Sequence, residues 1–527
     1  MTTRLSLLVL LFGAASIAAQ TPASVPIEIN KVRTTVHADG SLFHHNSNGG
    51  FVPLQTGVAE KNLLRSAGIW LIGKDPAGNL KGAVASPSHQ DFKAGLPTSA
   101  EWNRIWEVSC DAVVAHLQDF QDNGQIDQAQ TAIYAFPGLG NTHFEAYNGF
   151  GLPFNYQALG GFTDYDNDAT YTPENGDYPS IEIRGCPLGQ IPDYQNWFVF
   201  NDEGAHPSGL VSGQQFEVQT QVFAYKTAAH SLLNNAIFVR YKLINRGAEK
   251  LDSCYFGVFA DFEIGHPGDD FSGVIPDRNI LYAYNGDAQD EGGFETEIPV
   301  VALDLMRGPL DAEGEEVPLR HAMIVENADN LSPIEYYRLL TGHFPDGTAA
   351  PNGGLMFPDN PNIPNGQSEA ALGNVPGPRA GIASFGPFSL MPGAVNELIL
   401  AWYFVHDAGN TPLQNVQALF EQPDVLQTAF DKCFVGMDPS CTAFTSASPT
   451  VENSGITLYP NPATRRVVLE SKEAPVASVQ MLDLLGRTVR FQHATLNATS
   501  IEIDLEGVPA GTYFIRVGNA IFPLIKE

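Results

Sequence analysis

Apolar and polar side chains alternate with a period of two over several stretches of this chain, and that alternation constrains its fold more than any other feature. Phe216, Val218, Thr220 and Val222 alternate with Glu217, Gln219 and Gln221. After a turn signal at Asn234-Asn235, Ile237, Val239, Tyr241 and Leu243 alternate with Phe238, Arg240 and Lys242. Residues two apart on an extended strand share a face, so these runs fit strands and not helices. A third run, Tyr255 to Phe262, follows at once, which predicts an antiparallel meander. Glu397 to Val405 is almost wholly apolar, as expected of a central strand buried on both faces. The 50 glycines and 37 prolines provide turns between short strands. The fold class expected is mainly β: a body of one or two antiparallel β-sandwiches with a few helices.

Helical spacing is confined to two places. Trp106, Val113, Val114, Leu117 and Phe120 predict a helix within Trp102 to Phe120. Leu413, Val416, Leu419 and Phe420 predict a second, broken at Pro423 and followed by Val425, Ala429 and Phe430. Both read as elements lying on or beside a sheet.

The 59 Asp and Glu outnumber the 28 Lys and Arg, for a formal charge of -31. Such a surface repels phosphate backbones and argues against nucleic-acid binding. It suits solubility in a salty exterior, or sites for divalent cations. Five cysteines leave an odd thiol; Cys433 and Cys441 are close enough in sequence to bridge, and no CxxC suggests zinc.

The N-terminus reads as a secretory signal peptide over residues 1–19. Arg4 precedes the apolar run Leu7 to Phe12, small residues follow, and cleavage is expected after Ala19. No later stretch reaches the roughly 18 apolar residues of a membrane helix. A body over 20–437 and a Ser-, Thr- and Ala-rich linker over 438–454 lead to a tail over 455–527.

In that tail, Val467/Leu469, Val479/Met481 and Ile501/Ile503/Leu505 alternate within short runs punctuated by Gly486, Gly507 and Gly511. The pattern describes a small Ig-like antiparallel sandwich. Leu458-Tyr459-Pro460-Asn461-Pro462-Ala463 and Gly511-Thr512-Tyr513-Phe514-Ile515-Arg516-Val517 resemble the C-terminal sorting domain of cargo proteins of the type IX secretion system of Bacteroidetes-type bacteria. The resemblance implies passage through the periplasm and recognition by the type IX machinery. It further implies release, or attachment to surface lipopolysaccharide. Landmarks of the body, from Asp39-Gly40-Ser41 through Phe198 to Asp202 to Gly386-Pro387-Phe388, resemble those of large sorting-domain proteins. That second resemblance brings no catalytic residues with it.

The strongest site candidate is Asp164, Asp166 and Asp168, with Thr170, Glu174 and Asp177 following. Carboxylates at alternate positions of a tight loop offer the hard oxygens that Ca²⁺ takes. An EF-hand wants Gly at its sixth position and Glu at its twelfth, where Ala169 and Asn175 stand, so Glu174 or Asp177 would have to substitute. A second, weaker acidic cluster comprises Asp261, Glu263, Asp269, Asp270 and Asp277. It fits a metal site, a carboxylate pair for glycan hydrolysis or a solvated loop. Trp197, beside Tyr194, is the one tryptophan that suggests a sugar platform. No HExxH, GxSxG, P-loop or GxGxxG motif is present. The expectation is a secreted or surface-attached, calcium-stabilised protein with a structural, adhesive or binding role. The alternatives are a polysaccharide hydrolase and a glycan-binding protein.

Overall fold

The computed structural model describes residues 21–434 and 456–527, apart from breaks at 45–49, 87, 98, 155, 157–158, 187–188, 212–215, 228–231, 329, 422–423, 460–462, 472–478, 483–488, 490, 498, 509–510, 518–519 and 527. The expected leader (1–19), the linker (438–454) and the expected break at Pro423 lie outside the described residues.

The chain is mainly β and its sheets are antiparallel. The largest sheet has nine strands. Its order runs Asp270–Ile275, Ile280–Asn285, Val300–Arg307, Val395–Val405, Ala236–Asn245, Phe216–Ala224, Tyr194–Asn201 and Lys93–Ala94, with Trp106–Ser109 also pairing on Tyr194–Asn201. Facing it is a five-stranded sheet ordered His321–Val325, Arg379–Leu390, Leu251–Phe262, Leu64–Lys74 and Leu80–Val84. One core cluster joins the two: Phe198, Val218, Val239, Leu400 and Trp402 from the first meet Ile69, Trp70, Phe256, Val258 and Ile382 from the second. This is a β-sandwich, and Val395–Val405 is its expected central strand.

The expected meander holds for one hairpin and then breaks. Phe216–Ala224 pairs with Ala236–Asn245 in register Val222↔Val239. The third run, Leu251–Phe262, crosses instead to the opposite sheet, between Leu64–Lys74 and Arg379–Leu390. The vacated edge of Ala236–Asn245 is taken by Val395–Val405, with Val239 opposite Leu400. Leu251–Phe262 is buried nearly throughout, so apolar burial between two partners prevails over sequence proximity.

The polar face of Phe216–Ala224 is also covered. Glu217, Gln219 and Gln221 are all buried. Gln221 Nε2 donates to the Ser180 carbonyl at 3.2 Å, Gln195 Nε2 to that of Pro179 at 2.9 Å, and Tyr156 Oη to Glu217 Oε2 at 2.6 Å. Arg240 donates to Gln221 and Glu397, each at 2.7 Å. Buried amides and carboxylates are tolerated here because each finds partners. The cover comes from residues 96–191, whose Trp102, Trp106, Phe144, Phe150 and Tyr171 form one core with Trp197 of the sheet. Within it, the expected Trp102–Phe120 helix begins only at Cys110, because Trp106–Ser109 pairs as a strand. Ser109 caps that helix by accepting from the Ala112 amide, and Gly124, at φ 78°, ends it at Asn123.

Helices Pro412–Glu421 and Val425–Asp431 cover the other half of the same face, through Val416, Leu419, Leu426 and Phe430. A disulfide joins Cys186 to Cys433. The expected Cys433–Cys441 bridge is therefore wrong: packing of the last helix brings Cys433 to the covering layer, 247 residues away in sequence. Cys110 is also disulfide-bonded, and Cys254 is a buried free thiol. At the sheet edge, Arg379 and Glu369 form a buried bidentate pair, and Glu369 accepts the Ser272 amide at 3.0 Å.

The tail forms a four-stranded and a three-stranded sheet around Val467, Leu469, Met481, Ile501, Ile503, Leu505 and Ile515. These are largely the residues whose alternation stands out in the sequence. Among the described residues, no helix is long and apolar enough to cross a membrane.

Asp304, on Val300–Arg307, is 1% exposed, and neither of its oxygens is hydrogen-bonded. Burial pushes its carboxyl well above the usual carboxylate range; Asp424 adds to the shift and Arg278 opposes it. Because the folded state holds this proton more tightly than the unfolded chain, the group favours folding below about pH 4, and that contribution is lost as pH rises. Asp304→Asn should therefore raise the melting midpoint at pH 7 and not at pH 4. An equal change at both pH values in thermal denaturation counts against a buried, protonated Asp304.

Candidate functional site

The first acidic loop hangs from the layer that covers the nine-stranded sheet, between the pairing strands Phe162–Thr163 and Tyr178–Pro179. Its aspartates fold the backbone around themselves. Asp164 accepts the amides of Asp168 (3.2 Å) and Ala169 (2.7 Å), and Asp168 accepts that of Thr170 at 2.7 Å. Asn175 Nδ2 donates to Asp166 at 2.7 Å. Asn167 and Ala169 sit at φ 61° and 63°, the left-handed region that costs a residue with a Cβ about 1–2 kcal/mol. Ala169 thus adopts, under strain, a conformation that glycine takes freely. The result is that oxygens of Asp164, Asp166 and Asp168 lie within 4.8 Å of one another, with Asp166 and Asp168 exposed. Among the described residues this is the one place where three metal-ligating side chains converge.

The three further residues of the sequence pattern have other tasks. Thr170 rests its methyl group on Gly140, where a Cβ would approach it to 2.4 Å. Glu174 pairs with His143, a residue with no signal in sequence. Asp177 is fully buried, and its two oxygens accept the Tyr165 and Thr172 amides, both at 2.7 Å. Those bonds close the base of the loop. Burial pushes the Asp177 carboxyl up to about 6; the two amide bonds oppose this, and the charges of Asp164 and Asp166 add to it. A cation held among the three carboxylates would offset that repulsion.

The second acidic cluster does not converge as a set. Asp261 is bound by Arg65 at 2.5 Å, and Glu263 lies 3.9 Å from the same guanidinium. Asp277 is exposed in the turn Pro276–Arg278, at the far end of the strand that Asp270 begins. Asp269 and Asp270 instead lie near Asp290, which sequence spacing does not flag. Asp290 is itself occupied in accepting the amides of His266 and Phe294. Trp197 is not a platform. It is 2% exposed and lies 5.6 Å from Trp106 and 6.3 Å from Trp102, ring centre to ring centre. An indole enclosed by other rings has no face left for a sugar.

Residues 457–524 match the family model described as the secretion system C-terminal sorting domain. The tail is a type IX sorting domain. A sorting domain of this kind marks its chain for secretion or the cell surface and implies contact with the type IX machinery. No curated protein matches the chain. Among solved structures, a polysaccharide lyase is similar over 70% of this chain and 39% of its own, at 11% identity and a TM-score of 0.19. This chain thus spans about two fifths of that lyase's length. A likeness of that order bears on neither fold nor chemistry, and the sorting domain alone places this protein.

Loss of the buried Asp177 carboxylate leaves two part-buried amides without their acceptor, each at a cost of up to about 1–3 kcal/mol. Asp177→Ala should lower the unfolding free energy by several kcal/mol in urea denaturation, with or without calcium. A change under about 0.5 kcal/mol, typical of surface substitutions, shows that these amides are satisfied in another way.

Proposed function

We propose that this chain acts outside the cell as a calcium-stabilised, β-rich binding protein without catalysis of its own. Its sorting domain carries this reading, since it commits the body to an exterior role. In this scheme residues 1–19 are removed on export and the body passes through the periplasm. The sorting domain then directs release or attachment to surface lipopolysaccharide. Calcium is supported by the three aspartate oxygens within 4.8 Å of one another, a donor set of hard oxygens on a loop closed from beneath by Asp177. The exterior is also where millimolar calcium keeps weak sites filled.

The metal has a direct measurement. A ligand that binds only the folded state at a hundred times its Kd adds about 2.7 kcal/mol of stability. Adding calcium to chelator-treated protein should raise the melting midpoint, and Asp164→Asn with Asp168→Asn should abolish the rise. A midpoint indifferent to EDTA rules calcium out.

Export is tested separately. Deleting residues 455–527 should leave a folded body that fractionates with the periplasm. Surface display of the truncated chain at the full-length level contradicts the assignment of the tail as its sorting signal.

A further inference from the structure

The outer side of the five-stranded sheet carries cations that the acidic surface leaves unmatched. Lys74 Nζ lies 4.8 Å from the ring centre of Tyr337, on helix Pro333–Leu340. Tyr337 meets Tyr255 edge to face at 5.9 Å, and Tyr255 lies 6.4 Å from the imidazole of His321. Arg320 precedes His321, is exposed, and acts electrostatically on both His321 and Tyr255. His343 adds a further imidazole whose charge acts on His321. In a chain of formal charge -31, no carboxylate lies within ion-pair distance of Lys74 or Arg320 among the described residues. The nearest acid in register, Asp252 opposite Lys74, is taken by Lys250 and Ser389, each at 2.7 Å.

The imidazoles are held in one orientation. His321 Nδ1 donates to the Gly353 carbonyl at 2.8 Å and His343 Nδ1 to that of Thr341 at 2.9 Å. With Nδ1 donating, Nε2 is the nitrogen left to accept when either ring is neutral. Burial lowers the His321 pKa, with His343 and Arg320 adding to the effect. Space for this ring is built in. A Cβ on Gly342 or Gly354, both at positive φ, would come within 2.6 and 2.7 Å of His321 Nδ1.

We propose that this row from Lys74 to Arg320 binds a carboxylate-bearing saccharide. The two cations take acid groups, the Nε2 atoms accept sugar hydroxyls, and the tyrosine pair, each residue 8% exposed, packs beneath them as support. Cations at both ends of a row of three rings call for an oligomer and not a single sugar. Acceptors interleaved with cations favour a hydroxyl-rich ligand over an acidic peptide, which offers few hydroxyl donors. The proposal rests on the binding role given above. A protein that binds only neutral glycans keeps that role and loses this site.

The test is calorimetric titration of the full chain with oligosaccharides of polygalacturonate, alginate and hyaluronan. Methyl-esterified galacturonan, dextran sulfate and poly-glutamate are the comparison ligands. At least one uronate should bind, and the methyl ester should bind at least about tenfold more weakly, the worth of a charged hydrogen bond. Arg320→Ala and Lys74→Ala should each weaken uronate binding by about the same factor while leaving the melting midpoint in place. Absence of uronate binding overturns the proposal. So does equal affinity for the methyl ester, dextran sulfate or poly-glutamate, or unchanged affinity in both variants.

Discussion

A sheet of nine strands must be covered on both faces, and the rest of the body is arranged around that requirement. Its inner face meets the five-stranded sheet, the ordinary solution for a sandwich. The outer face is divided between residues 96–191 at one end and the two C-terminal helices at the other. The acidic loop is a product of this division, because it protrudes from the layer that shields Gln195, Glu217 and Gln221. Its base is therefore anchored to the covering layer through Asp177, which accepts the Tyr165 and Thr172 amides.

Local pattern made much of the fold legible in sequence. Strands Phe216–Ala224, Ala236–Asn245 and Val395–Val405 follow from alternation or from an apolar run, and the tail core follows almost residue by residue. Partner choice was not legible. Ala236–Asn245 pairs with a strand some 160 residues later, and no local signal distinguishes that from pairing with the next run. The polar side of Phe216–Ala224 resembles a solvated face in sequence, yet it is buried, since Gln221 and Glu217 meet partners from a distant layer. Cys433 misled for the same reason: nearness along the chain suggested Cys441, and tertiary packing provided Cys186.

The acidic loop was legible because its chemistry is local. Alternating carboxylates on a tight turn converge whatever lies around them, and Asp164, Asp166 and Asp168 do so. Glu174 and Asp177 were harder to place, because their partners, His143 and two amides below the loop, depend on how the layer folds beneath. The row on the five-stranded sheet had no sequence signature. Lys74, Tyr255, Arg320 and Tyr337 come from four separate segments, and only the sheet order and helix Pro333–Leu340 bring them together. Their significance is electrostatic, and it emerges against an acidic background that composition alone reveals.

The Cys186–Cys433 bridge has a mechanical meaning. Cys433 stands two residues after the last body helix, and its bridge ties the end of that helix to the covering layer. Tension on that end of the helix is met by the bridge. Without the bridge, that load would fall on helix Val425–Asp431 and peel it from the sheet one turn at a time. With it, the load passes sideways into the covering layer and is shared with the broad hydrogen-bonded sheet beneath. The last helix of the body is thus held at its end against being unpicked, a useful property for cargo addressed from its C-terminus.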